Sequence, residues 1–278
     1  MRGARLGRTA AAALVLTLAA CGSDSNVQQT TRPGGAQPAP AEGAWRAVAT
    51  KKIYFGHQSV GGNILDGVRE LMAAEGAAVR LNIVHGDDPS AVQGPALVES
   101  FVGENGDPES KGAAFAAALD RGMGAAGGVA LYKHCYLDVG PGTDVRQMFE
   151  RYRARTAELR AKYPGLVLAH VTVPLTTADE SPVKRLLKTV LRKPTVVEVN
   201  AKRNAFNALL RGAYAGREPL FDLAAIESTR PDGSRSYVTL GADTVYTLVP
   251  EYTDDGGHLN AAGRRAAATR FVEFLAGL

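Results

Sequence analysis

From about residue 48 onward, short apolar runs alternate with longer segments in which apolar residues recur every three or four positions. Runs at 52–56, 79–84, 128–136, 166–173 and 219–226 read as strands, and segments at 60–74, 111–122, 143–162, 183–191, 198–213 and 261–276 read as helices. Such alternation predicts an α/β fold: a mainly parallel sheet of about five strands, with helices covering both faces as a three-layer α/β/α sandwich. In open sheets of this kind, ligands bind outside the carboxyl ends of the strands, beside the point where the strand order reverses. Two stretches interrupt the alternation. Residues 175–196 carry a polar run and then a basic one, and read either as a lid or rim over the sheet edge or as a solvated surface helix. Residues 228–253, with Pro231-Asp232-Gly233, read as a hairpin excursion that delivers the chain to Asp254 and Asp255.

Upstream of residue 48 the pattern is different. Arg2, Arg5 and Arg8 precede a largely apolar run from Ala10 to Ala20, too short to span a bilayer as a stable helix. This is the layout of a secretory signal and predicts an exported domain. The stretch Leu18-Ala19-Ala20-Cys21-Gly22-Ser23 resembles the lipobox of bacterial lipoproteins. That resemblance implies cleavage before Cys21 and lipidation of Cys21, whose acyl chains would hold the protein firmly at a membrane. The alternative is an ordinary secretory signal in which Cys21 stands by chance. Residues 22–45 are dominated by Gly, Ser, Asn, Gln, Thr, Pro and Ala and predict a flexible tether. The chain thus divides into a signal segment 1–20, a lipidated Cys21 with its linker 21–47, and a domain 48–278. Gly22 stands where an aspartate often retains such proteins at an inner membrane, so the expected location is the outer membrane or cell surface.

Composition excludes more than it suggests. The three signal arginines belong to the 32 basic residues behind the formal charge of +4; without them 29 basic residues face 28 acidic ones. A nucleic-acid partner gains no support from this balance. The histidines, at 57, 85, 134, 170 and 258, show no metal-ligand spacing, and the glycine-rich run 122–128 does not match a phosphate-cradling loop. No metal and no cofactor are expected. Cys135, in a strand, reads as a small buried hydrophobe and is not expected to pair with Cys21.

The chemistry concentrates at the two ends of the domain. Phe55-Gly56-His57-Gln58-Ser59-Val60-Gly61-Gly62-Asn63 joins the first strand to the first helix. A serine there sits at the strand's carboxyl end, beside the unpaired N–H groups of a helix N-terminus, which favour an oxyanion. Serine attacks only with a neighbouring base. Asp255-Gly256-Gly257-His258-Leu259-Asn260 supplies one candidate: His258 as base, with Asp255 placed three residues earlier to hold the imidazole. Asp254 is the rival orienter, and the alternative role for Ser59 is a helix N-cap.

Asp255-Gly-Gly-His258-Leu-Asn-Ala-Ala-Gly263 ahead of a final helix resembles the closing block of SGNH/GDSL-type hydrolases, and Ser59 matches the family's serine after the first strand. The resemblance covers roughly residues 50–278 and implies a flavodoxin-like sheet and cleavage of carboxylic esters, often acyl groups on carbohydrates or lipids. The family's opening Gly-Asp-Ser reads His57-Gln58-Ser59 here, and its later glycine and Gly-x-Asn-Asp blocks are not recognisable. Their places hold Val102-Gly103-Glu104-Asn105-Gly106-Asp107-Pro108 and Leu131-Tyr132-Lys133-His134-Cys135.

Further expectations follow for the site. The Ser59 N–H, Gly61, Asn105 and Gly106 are the candidate oxyanion or substrate-binding groups. His57 either lines the pocket beside Ser59 or points into the sheet. Lys133, charged and near the end of a strand, is expected to meet a carboxylate or the substrate. The sequence therefore points to an exported, lipid-anchored serine hydrolase with Ser59, His258 and Asp255 as its triad, acting on acylated carbohydrate or another ester. The alternatives are a glycan- or peptidoglycan-binding lipoprotein without turnover, and an O-acyltransferase.

Overall fold

Strand β1 (Lys52–His57) lies in the middle of a parallel sheet, and its side chains alternate between two cores. Ile53 and Phe55 enter one core with Ile64, Leu65 and Val68; Tyr54 enters the other with Val98, Phe115 and Ala130. Burial on both faces is what a parallel sheet requires. The computed structural model describes residues 39–76, 80–86, 88–179, 191 and 193–278. The expected signal segment, Cys21, most of the expected linker and the helix expected at 183–191, apart from Leu191, lie outside them.

In chain order the domain contains α1 (Glu42–Ala49), β1, α2 (Ser59–Glu75), β2 (Ile83–His85), β3 (Ala96–Phe101), α3 (Pro108–Ala118), β4 (Gly128–Tyr132), α4 (Val145–Lys162), β5 (Leu166–Val171), α5 (Val196–Tyr214), β6 (Leu220–Phe221), α6 (Leu223–Glu227), β7 (Tyr237–Leu240), β8 (Asp243–Tyr246) and α7 (Ala261–Ala276). Strands β1 to β6 form one sheet in the order β2-β3-β1-β4-β5-β6, every pair parallel. Without the short edge strand β2, the order is that of the flavodoxin-like sheet. The order reverses between β1 and β4, so the β1–α2 junction stands at the topological switch.

Strand β3 is the main departure from the expected elements. Its sequence, Ala-Leu-Val-Glu-Ser-Phe, carries two polar residues that hide a buried strand. Both are paired: Glu99 Oε2 accepts from His57 Nε2 at 2.9 Å, and Ser100 Oγ lies 2.8 Å from Tyr54 Oη. Paired in this way, they are buried without the penalty of an unmet polar group. Helix α1 begins inside the stretch read as tether, because Trp45 and Val48 bury an apolar face against the core. The expected strand 219–226 is two residues of β6 followed by α6, which Asp222 caps through the Ala225 N–H. The hairpin excursion pairs β7 with β8 antiparallel, while Pro231-Asp232-Gly233 closes the nearby Thr229–Arg235 bridge.

Helices α2 and α7 pack against each other on one face, which fixes the first strand's serine relative to the last turn. At Gly67 any Cβ would run into the Arg264 carbonyl, so this close approach requires glycine. Arg264 Nη2 also meets Glu70 Oε1 at 2.7 Å across the same pair.

Candidate active site

Ser59 is the first residue of α2, and Gln58 occupies the N-cap position, where it makes no side-chain cap bond. The serine hydroxyl is therefore not spent on capping the helix. It donates instead to His258 Nε2 at 3.0 Å, across 199 positions of sequence. His258 Nδ1–H donates to Asp255 Oδ2 at 2.6 Å. A carboxylate only accepts, so Nδ1 carries the proton and Nε2 presents its lone pair to the serine.

The turn that carries these groups is tied on three sides. Asp255 Oδ1 accepts from the His258 N–H at 2.8 Å and the Gly257 N–H at 2.9 Å. The Thr177 N–H holds the Gly256 carbonyl at 2.9 Å, and Asn63 Oδ1, one turn into α2, accepts from the Leu259 N–H at 3.1 Å. Asn260 then caps α7 through the Ala262 and Gly263 N–H groups. The His258 backbone N–H and then its imidazole hold the Asp255 carboxyl well below the usual carboxylate range. Asp255 thus faces the ring as an anion near neutrality. Asp254, the rival, accepts instead from Asn260 Nδ2 at 3.2 Å.

The sheet order, the serine after β1 and an Asp-x-x-His turn ahead of the last helix now stand together in one structure. The fold is a flavodoxin-like α/β sandwich, consistent with the SGNH/GDSL-hydrolase type that the sequence resembles. No family model matches the chain, and neither does any curated protein. Among solved structures, a GDSL-like lipase from Bacteroides thetaiotaomicron aligns at 12% identity over 86% of this chain and 92% of its own, with a TM-score of 0.46. The periplasmic domain of a lipopolysaccharide acetyltransferase from Salmonella ser. Paratyphi A aligns at 11% identity over 80% and 82%, with a TM-score of 0.43. An acetyl xylan esterase aligns at 17% identity over 79% and 96%, with a TM-score of 0.41.

Gly61, Gly106 and Lys133 stand elsewhere than expected, and His57 takes the second of its two expected places, in the sheet. Gly61 is buried in the first turn of α2, where a Cβ would meet the His57 side chain, and its N–H already donates to the Gln58 carbonyl at 2.7 Å. It is a packing residue. The Gly106 N–H is likewise occupied, by Asp138 Oδ1 at 2.8 Å. His57 does not line the pocket. It is 1% exposed, with Nε2 on Glu99 and Nδ1 3.0 Å from the Gln58 carbonyl. Burial raises the Glu99 carboxyl, but hydrogen bonds from His57 and His85 outweigh it and bring it down to about 2. Lys133 is fully buried; among the described residues Nζ reaches only the His134 carbonyl, at 3.3 Å, and burial lowers its pKa to about 8. Asn105 is exposed in the loop between β3 and α3.

The residues missed by the sequence reading lie beside these. Gln58 Nε2 donates to the carbonyls of Val102 at 3.0 Å and Gly103 at 2.8 Å, drawing the end of β3 against the β1–α2 junction. The Gly103 N–H has no partner among the described residues. Gly103 has φ +55°, and a Cβ there would meet the Lys111 N–H and Ser110, so only glycine fits. Recognising β3 as a strand would have placed this glycine at its end. Behind the loop, Asp138 accepts from Lys111 Nζ, the Gly106 N–H and the Cys135 N–H at 2.7, 2.8 and 2.7 Å. Among the described residues no group of His, Cys, Asp and Glu is arranged to hold a metal ion, and no helix is long and apolar enough to cross a membrane.

Proposed function

We propose that this protein is a carboxylic ester hydrolase in which Ser59, His258 and Asp255 act as a catalytic triad. The single observation that carries the reading is the continuous chain from the Ser59 hydroxyl through both ring nitrogens of His258 to the Asp255 carboxylate. Ser59 Oγ bonds to the ester carbonyl carbon as His258 Nε2 takes its proton. The tetrahedral intermediate collapses as the C–O bond to the alcohol breaks, and His258 returns the proton to that alcohol. Water then repeats the sequence on the acyl-enzyme and releases the acid. Asp255 keeps the ring in the correct tautomer and stabilises the imidazolium.

For the oxyanion, the proposed donors are the N–H of Ser59 at the α2 N-terminus and the N–H of Gly103, which has no partner among the described residues and whose carbonyl Gln58 holds. These replace Gly61 and Gly106, whose N–H groups are engaged. The favoured substrate is an acylated carbohydrate of the cell envelope, and the domain is exported and held to a membrane by lipid on Cys21. The arginine-led apolar segment ending at Cys21 supports that location.

A fluorophosphonate probe tests the reading directly. Wild-type protein is labelled and Ser59→Ala is not; a folded wild type that takes no label would overturn the triad in favour of a binding protein. Acetate released from an acetylated polysaccharide panel distinguishes hydrolysis from transfer to a second sugar. Radiolabelled palmitate incorporation lost in Cys21→Ser tests the anchor.

A further inference from the structure

Beside the Ser59–His258 pair opens a groove of about 390 Å³, its near end formed by Asp255 and its walls by Tyr136, Thr176, Thr177, Asp179 and Arg203. Tyr136 stands between the imidazole and the arginine. Its ring centre lies 5.9 Å from that of His258 and 5.6 Å from the Arg203 guanidinium carbon.

Arg203 projects from α5 and is 6% exposed. Nε donates to the Tyr136 carbonyl at 3.0 Å, and Nη1 to Thr176 Oγ1 and Asn200 Oδ1, each at 2.8 Å. All three acceptors are neutral. Among the described residues no carboxylate lies within ion-pair distance of this guanidinium, and Nη2 has no hydrogen-bond partner. A cation removed from water without a counter-ion is costly, and such groups are ordinarily paired. Burial lowers its pKa only to about 10, so it stays charged near neutrality. The carboxyl that acts on it through space, Glu227, is itself pushed up to about 8 by burial and is largely protonated at that pH. Lys133 adds a second buried cation to the same region. The floor of the groove therefore carries a buried cation without a counter-ion, while Tyr136, the Thr176 and Thr177 hydroxyls and the Asp179 carboxylate stand on walls that Leu137, Val196 and Val199 make largely apolar. The apolar wall and the Tyr136 ring suit the apolar face of a sugar, and the guanidinium suits an anionic group on it. A second cavity, also about 390 Å³, shares Pro141 and Thr195 with the first and adds Lys193, Lys202 and Glu198.

We propose that this groove binds an acidic sugar of uronate type adjoining the esterified residue, with its carboxylate paired to Arg203 and its apolar face on Tyr136. This deepens the esterase reading, on which it rests, by assigning the substrate a negative charge close to the scissile ester. Asp179 accepts hydrogen bonds from the sugar's hydroxyls.

Two measurements separate the claims. First, kcat/KM is compared on O-acetylated oligogalacturonate and O-acetylated xylo-oligosaccharide, with wild type, Arg203→Lys and Arg203→Gln. The acidic substrate is preferred by wild type at least tenfold, the preference shrinks as salt rises, and it collapses in Arg203→Gln while Arg203→Lys retains part of it. Hydrolysis of both substrates without preference, or a preference untouched by Arg203→Gln, overturns the groove assignment and leaves the esterase intact. Second, trigalacturonate binding to Ser59→Ala is measured by calorimetry, with xylotriose as control. Binding that weakens at least tenfold when Arg203→Gln is added supports the assignment even if no ester is turned over, a result that would sink the esterase reading alone. Equal affinity for the two trisaccharides overturns it. Circular dichroism of each variant ensures that only folded protein is compared.

Discussion

The side-chain amide of Gln58 donates to the carbonyl oxygens of both Val102 and Gly103, so the residue before the serine clamps the loop that follows β3. In the family that this chain resembles, an aspartate stands at this position. Here an amide spans the gap between two neighbouring strands and holds the Gly103 peptide by its carbonyl. Gln58→Ala should leave the protein folded, because the two bonds are part-buried and each contributes only about 1 kcal/mol. Turnover should suffer more than stability. Loosening one oxyanion donor should lower kcat by roughly 10²-fold with little change in KM, since the contact matters chiefly in the transition state. Hydrolysis of a small activated ester, measured beside a thermal melt, checks both halves. A fall in Tm with kcat unchanged would show the clamp to be structural only.

Asp254 and Asp255 are neighbours with the same charge and different partners. Asp255 holds the imidazole and two backbone N–H groups, whereas Asp254 meets only the Asn260 amide. Asp255→Asn should lower kcat by about 10³ to 10⁴, the scale set by misorienting a triad imidazole. Asp254→Asn should stay within about threefold of wild type, because a surface substitution away from a special contact is nearly neutral. Steady-state kinetics of the two variants side by side decides the assignment, and equal losses would remove Asp255 from its role.

Lys111 and Asp138 form an ion pair whose side chains are fully buried behind the Gly103–Asp107 loop. Burial raises the Asp138 carboxyl, but the His134 imidazole and the Lys111 ammonium outweigh it and bring it from 3.8 down to about 2. A lowered carboxyl pKa stabilises the fold above its unfolded value, and that contribution disappears as pH falls through the folded one. Asp138 therefore contributes about 2 kcal/mol that is complete above about pH 4 and lost toward pH 2. Urea melts from pH 6 to pH 2 should show wild type losing this increment. Asp138→Asn should lack the acid dependence and be less stable by about 3–5 kcal/mol at neutral pH, because it strands a buried ammonium. Lys111→Met combined with Asp138→Asn should recover much of that loss, and a double variant no better than the single would argue against the pair.

The parts of this molecule that were legible in the sequence are those fixed by local chemistry. The apolar spacing of α2, α5 and α7, the β1 run and the Asp-x-x-His turn each depend on a few consecutive residues, and each lies near its expected place. The rest was settled by partners distant in sequence. Strand β3 escaped notice because Glu99 and Ser100 read as surface residues until His57 and Tyr54 are placed opposite them. His57 was ambiguous for the same reason: its destination depends on a carboxylate 42 positions away. Gly61 and Gly106 looked like free donors because a sequence does not show which N–H groups are already taken. Arg203 lies on a helix read only as amphipathic, and nothing nearby in the chain marks it as buried in the groove that Asp255 and Gly256 also line.

Glu227 gives a stability test of opposite sign to that of Asp138. It is fully buried at the end of α6, where Oε2 accepts from the Leu175 N–H at 2.7 Å and Oε1 has no partner. Burial pushes its carboxyl from 4.5 up to about 8. Between those values the unfolded chain has released the proton and the folded chain keeps it, so raising the pH favours unfolding by up to about 1.4 kcal/mol per unit. The stability is present below about pH 4.5 and is lost as pH rises through about 8. Lys133, lowered by burial from 10.5 to about 8, works the other way only above that pH, where the folded chain sheds a proton that the unfolded chain retains. Glu227→Gln keeps an acceptor for the Leu175 N–H and cannot ionise. Its melting temperature should therefore lie close to that of wild type at pH 5 and rise progressively above it up to pH 8. Differential scanning calorimetry across that range measures the gap, and a constant gap would show that Glu227 is ionised in the folded protein throughout, held by Lys133 and Arg203.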